Sequence, residues 1–192
     1  LGLETIFKQE LLLKRAIDEL GFNHKDFKIS VDHKKGKNFI NDNEFGIIYP
    51  ISFFKKVFEL NPDKIKNIDF YFNGYIYKEG GRSILLDSFT NSESNLIIQS
   101  NDGRITSKKD KFNIDYFEPF TRSKFGLCPV HIDWDGPKKY TWTYRFIESL
   151  MCNSIPILFE ETPLSDQFID GFFFHTINAK IEDVNFEYDF DK

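Results

Sequence analysis

Arg145 and Glu148 are the pair whose types and spacing invite chemistry. Three residues apart on a helix, they share a face. A guanidinium near a helix start offers forked donors to two phosphate oxygens, and the helix terminus adds its own N–H groups and partial positive charge. A carboxylate one turn deeper can accept hydrogen bonds from two vicinal hydroxyls, as on a ribose. The same spacing also describes an ordinary exposed ion pair worth under ~1 kcal/mol, so the pair takes its meaning from its surroundings. Tyr144 adjoins Arg145, and two more arginines, Arg82 and Arg104, fall on or just after loops. The Gly80-Gly81-Arg82-Ser83 turn can set backbone amides against a phosphate, with Arg82 and Ser83 beside it. For proton transfer the candidates are His131, Asp133 and Asp135, close together in one loop. A histidine there could act as a base near physiological pH.

Asp133-Trp134-Asp135 has the form D-x-D, which holds a divalent cation when it ends a strand. Here it lies mid-loop, so no metal is expected. His24, His33, His131 and His175 show neither an H-x-x-x-H nor a mixed Cys/His spacing. Cys128 and Cys152 are too few for a disulfide framework and fall in apolar segments, where they read as buried thiols. Trp134 lies on the loop and could stack on a sugar or base, whereas Trp142 reads as core. Nothing matches a nucleophile elbow or a Walker loop, and no glycine-rich turn follows the first strand of the later region, which argues against a dehydrogenase.

The elements that must position these residues follow from hydrophobic periodicity. Apolar residues at Leu3, Ile6, Phe7, Leu11, Leu13, Ile17 and Leu20 predict a helix over 3–20, stopped by Gly21. Residues 22–44 are rich in Lys, Asn and Asp and are expected to be irregular or weakly paired. Ser52 is a candidate cap for a short helix ending at Leu60. Compact apolar runs then predict strands over 68–72, 96–99, 125–128, 155–159 and 171–174. Helices are expected over 83–89, 115–123 and 141–152, with a helical turn over 164–169. Short apolar runs without alternation, interleaved with helices, imply a parallel sheet buried on both faces: a Rossmann-like α/β fold. Ligands of such sheets sit beyond the C-terminal strand ends, where the loops 73–82, 100–104, 129–145 and 160–164 gather.

The 192 residues carry a net charge of −5 and a pI near 5.4, with scattered basic residues. Nucleic-acid binding needs clustered cations, so no such partner is expected. Composition changes near residue 62, which suggests an N-terminal helical or irregular segment over 1–62 and a ligand-binding domain over 63–192. No apolar run is long enough to cross a bilayer, and the N-terminal residues lack a signal-peptide layout; a cytoplasmic location is expected. Phe, Ile, Asn and Lys abound while alanine occurs only at Ala16 and Ala179, the mark of an AT-rich coding sequence.

The order Ser123-Lys124-Phe125-Gly126-Leu127-Cys128-Pro129, Thr143-Tyr144-Arg145-Phe146-Ile147-Glu148-Ser149-Leu150, then Ser154-Ile155-Pro156-Ile157-Leu158 resembles the exostosin family of glycosyltransferases. In that family a strand reading S-K-F-x-L-C-P leads through a loop to an R-x-x-E-A helix and a G-C-I-P-V strand. Phe70-Tyr71-Phe72-Asn73-Gly74 followed by Arg82 looks like the family's first donor-domain strand and its arginine. The likeness covers roughly residues 66–175; Ser149, Asn153 and Ser154 replace the family's usual Ala, Gly and Cys. It implies the donor-binding half of a two-domain GT-B enzyme, metal-independent, with the 1–62 segment a reduced or partial acceptor side. Its substrate would be a nucleotide sugar, a UDP- or GDP-sugar, and its acceptor a glycan or other hydroxyl. It implies that Arg82 and Arg145 contact the donor diphosphate and that Glu148 holds its hydroxyls. The alternative is a non-catalytic nucleotide-sugar or glycan-binding module.

Overall fold

The computed structural model describes residues 2–32, 37–76, 81–100, 104–106, 111–129, 132–133, 136–137, 144–159, 175–177, 180–184 and 186–187. The first helix, α1 (Gly2–Glu19), buries Leu12, Leu13, Ala16 and Ile17 and is followed by Gly21 at φ +86°. A short 3-10 turn (His24–Asp26) leads into β1 (Ile29–Asp32), β2 (Lys37–Ile40) and β3 (Asn43–Phe45), an antiparallel sheet in that order. Residues 29–32, 37–40 and 43–45 are thus regularly paired. Asn41 and Asp42, at φ 49° and 65°, form the two-residue loop between Ile40 and Asn43, and both central φ values are positive as a type I′ hairpin requires.

Helix α2 (Ile51–Leu60) turns Phe53 and Val57 inward. Ser52 does not cap it; Pro50 is the N-cap and makes no side-chain bond. Instead the Glu19 carboxylate of α1 accepts from the Ser52 backbone N–H (2.9 Å) and from its hydroxyl. An acidic group from a neighbouring helix thereby satisfies an N–H that a local cap would have taken.

The rest of the chain alternates between strands and helices: β4 (Ile68–Gly74), α3 (Gly81–Asp87), β5 (Leu96–Gln99), the hairpin β6 (Ile105–Thr106) and β7 (Lys111–Phe112), and α4 (Ile114–Thr121). Then follow β8 (Ser123–Leu127), the ladder β9 (Ile132–Asp133) and β10 (Gly136–Pro137), α5 (Arg145–Met151), β11 (Ile155–Phe159) and β12 (His175–Ile177). The expected strand over 171–174, the helical turn over 164–169 and the helix residues 141–143 lie outside the described residues. The helix expected over 115–123 stops sooner, because Ser123 already pairs with Ile68 as the first residue of β8.

Five strands form one sheet in the order β12-β11-β8-β4-β5, and every pairing is parallel. Numbered among themselves, they run 2-1-3-4-5, a doubly wound order whose direction reverses between β4 and β8. That reversal leaves a crevice at the C-terminal ends of these two strands, the usual ligand position in open parallel sheets.

Both faces are covered, and alternation along β4 shows how. Phe70 and Phe72 point to one face, where they meet Phe125, Leu127, Ile157, the α3 residues Leu85 and Leu86, and Val184. Tyr71 points to the other, packed with Tyr116, Phe117 and Phe120 of α4, Phe53 and Val57 of α2, Leu12 of α1, and Cys152. Helices α1 and α2 therefore share a core with the sheet. Gly126 lies in the second layer, where a Cβ would collide with Ser149 Oγ and come within 2.7 Å of the Phe120 ring. Glycine at that position lets α4 and α5 approach β8 closely. Lys66 ties the same region together: its ammonium donates to the carbonyls of Thr121, Ser123 and Cys152 at 3.0, 2.9 and 3.1 Å. Burial pulls its pKa down to about 8.

Candidate functional site

The crevice carries two guanidinium groups. Arg145, the first residue of α5, reaches across to β4 and donates from Nη2 and Nε to the Asn73 carbonyl, at 2.8 and 3.3 Å. Its Cζ stands 4.3 Å from the centre of the Phe72 ring. The approach depends on Gly74, where any Cβ would collide with Arg145 Nη2. Arg82, in the first turn of α3, donates from Nη1 to the Tyr75 carbonyl (2.9 Å), and its Cζ lies 5.9 Å from the same Phe72 ring. Its Nε is buried and has no hydrogen-bond partner among the described residues. Burial, and after it the positive charge of Arg145, push the Arg82 pKa down to about 9. A guanidinium stays protonated in practice, so this downward pull marks a cation held against its preference. An anion bound between the two side chains would relieve it. Ser83 follows Arg82 in α3.

One turn further along α5 the chemistry is internal. Glu148 is 0% exposed, and its carboxylate accepts from the Arg104 Nε, the Tyr49 hydroxyl and, at 2.5 Å, the Tyr116 hydroxyl. Burial alone would raise its pKa, but the Arg104 cation and the Tyr116 and Tyr49 hydroxyls outweigh it and leave the carboxyl below its ordinary value. The same environment drives the Tyr49 and Tyr116 hydroxyls well above the usual tyrosine range, burial being the largest cause. Arg104 loses solvation too, yet the facing Glu148 carboxylate raises its pKa on balance. The Arg104 guanidinium also lies over the Tyr144 ring, 4.6 Å from its centre. Tyr144 is the N-cap of α5 and packs on Tyr49 at 5.8 Å.

The six residues proposed from sequence for the donor thus divide into two groups. Arg82 and Arg145, with Ser83 next in the chain, lie at the strand edge. Arg104, Tyr144 and Glu148 form a buried cluster behind it, in which protein donors occupy both oxygens of the carboxylate expected to hold ligand hydroxyls. Of the three candidates for proton transfer, His131 and Asp135 lie outside the described residues, as do Trp134 and Trp142. Asp133 pairs with Gly136 in the β9–β10 ladder. Among the described residues no three His, Cys, Asp or Glu side chains converge as a metal site would need.

Tyr49, Tyr116 and Asn73 belong to this region although sequence reasoning did not single them out. Tyr49 and Tyr116 stand 99 and 32 residues from Glu148. Asn73 could have been found, since it stands just before the Gly74 that ends the first strand of the parallel sheet. Among the described residues no helix is long and apolar enough to cross a membrane. Comparison of the chain with protein-family models, curated proteins and solved structures returns no match.

Proposed function

We propose that this chain is the donor-binding part of a glycosyltransferase of GT-B type, taking a UDP- or GDP-sugar and passing the sugar to a glycan or other hydroxyl acceptor. The observation that carries the reading is the pair Arg82 and Arg145 over one ring at the C-terminal end of β4. Two guanidiniums, one with a buried unpartnered donor, at the reversal point of a parallel sheet suit a diphosphate. In the reaction a base removes the acceptor proton, the acceptor oxygen attacks the anomeric carbon, and the bond to the diphosphate breaks. Arg82 and Arg145 would then stabilise the charge that develops on the departing diphosphate, the role a cation plays in metal-dependent transferases. The likeness of the 123–129, 143–150 and 154–158 stretches to the exostosin family supports the sugar-nucleotide assignment.

A second reading, a non-catalytic nucleotide-sugar or glycan-binding module, is favoured by the fact that the supporting residues all bear on the donor. Release of nucleoside diphosphate from a panel of donors with glycan acceptors separates the two readings. Binding comes first, and thermal unfolding against nucleoside diphosphates and nucleotide sugars tests it. A ligand at a hundred times its Kd stabilises the folded chain by about 2.7 kcal/mol. The expected result is a rise in Tm with at least one uridine or guanosine compound; no rise with any would overturn the transferase reading and the nucleotide-sugar form of the second.

A further inference from the structure

We infer that Glu148 and Arg104 are positioning residues for the anion grip: together with Tyr49 and Tyr116 they fix the first turn of α5, and so the aim of Arg145, without touching the ligand. The inference rests on the donor-site reading above and deepens it. Helix α5 is only seven residues long. A helix of under two turns has little stability of its own, so its orientation must come from tertiary contacts. Its Arg145 has to reach across to β4 and meet the Asn73 carbonyl beside Gly74.

The contacts that could set that reach converge on the two residues flanking Arg145 on this side. Glu148, one turn on, is held by Tyr49 from the segment before α2, by Tyr116 from α4, and by Arg104 at the start of the β6–β7 hairpin. Tyr144, one residue before, lies under the same Arg104 guanidinium. The backbone closes the loop, with the Glu148 N–H donating to the Tyr144 carbonyl at 3.0 Å. Three separate parts of the chain therefore clamp the turn that bears Arg145.

Glu148 is wholly buried and already accepts from three protein donors, so a direct role in holding ribose would require the fold to open around it and loosen those contacts. Removing the Arg104 contact inside the fold would leave a buried charge uncompensated, which is strongly unfavourable. Support of Arg145 needs no such exchange.

The two roles differ in what they do to a ligand without a nucleoside. Wild type, Glu148→Gln and Tyr116→Phe would be titrated calorimetrically with inorganic pyrophosphate, UDP and GDP, well below each protein's Tm. Tyr116→Phe keeps the ring and its packing and loses one hydroxyl, so it stands in if Glu148→Gln fails to fold. The expected result is that pyrophosphate and the nucleoside diphosphate weaken by the same factor. That factor should be on the order of tenfold for Glu148→Gln, as for substitutions acting through a packed network, and smaller for Tyr116→Phe. If nucleoside diphosphate weakened while pyrophosphate did not, Glu148 would be a direct ligand contact and the inference would fall. Unchanged affinities for both, with only Tm lowered, would make the cluster purely structural and overturn it equally. Wild type that binds none of the three compounds would overturn the donor-site reading itself, and this inference with it.

Discussion

Glu148 is a wholly buried carboxylate whose hydrogen bonds all come from protein side chains. Its buried charge is tolerable because one cation and two hydroxyls compensate it. The same arrangement makes it a source of pH-dependent stability. Its pKa in the folded chain is held below its ordinary value near 4.5. A group whose folded pKa is depressed adds stability above the unfolded pKa and loses it as the pH falls through the folded one. Unfolding by denaturant at pH 7, 4.5 and 3 should therefore show a loss of stability below about pH 4.5. Glu148→Gln should be less stable at pH 7 and show a shallower decline with acid. Parallel declines for the two proteins would contradict this. In the sequence the residue was visible as a candidate, through its spacing from Arg145. Its partners were not, because Tyr49, Arg104 and Tyr116 are 99, 44 and 32 residues away and no local pattern links them.

Among the elements, the parallel strands were the easiest to find, since β4, β5, β8 and β11 are short apolar runs between helical stretches. The β1–β3 sheet was not foreseen as regular pairing: its strands are polar and only partly buried, so alternation is faint. The tandem Asn41-Asp42, two residue types that tolerate positive φ, was the signal that could have revealed it. Helix starts misled where the satisfying group came from elsewhere, as Glu19 does for α2. Gly126 carries a prediction at this scale. It sits where β8, α4 and α5 meet, and a methyl group there has to push aside Ser149 and the Phe120 ring. Gly126→Ala should cost about 1–3 kcal/mol, the usual range for overfilling a packed core, measured by denaturant unfolding. An unchanged midpoint would mean that the helices have room to move back.

For the molecule as a whole, the sheet order matters more than any single strand. The 2-1-3-4-5 arrangement puts the ends of β4 and β8 at the point where the winding reverses. It also brings Arg82, from the helix after the first strand of this sheet, beside Arg145, from the helix after the third. Sequence order gave the alternation of strands and helices but not the lateral order of the strands, which depends on which crossovers pack on which face. Position in that order, more than the spacing of Arg145 and Glu148, puts Arg145 at the C-terminal strand edge and leaves Glu148 buried behind it. The central claim is that the two arginines grip a diphosphate. Calorimetric titration of UDP and GDP into wild type, Arg82→Ala and Arg145→Ala tests it most directly. A charged hydrogen bond is worth about 1.5–3 kcal/mol, so each variant should bind roughly ten- to a hundredfold more weakly than wild type. Variants that bind as tightly as wild type would contradict the account.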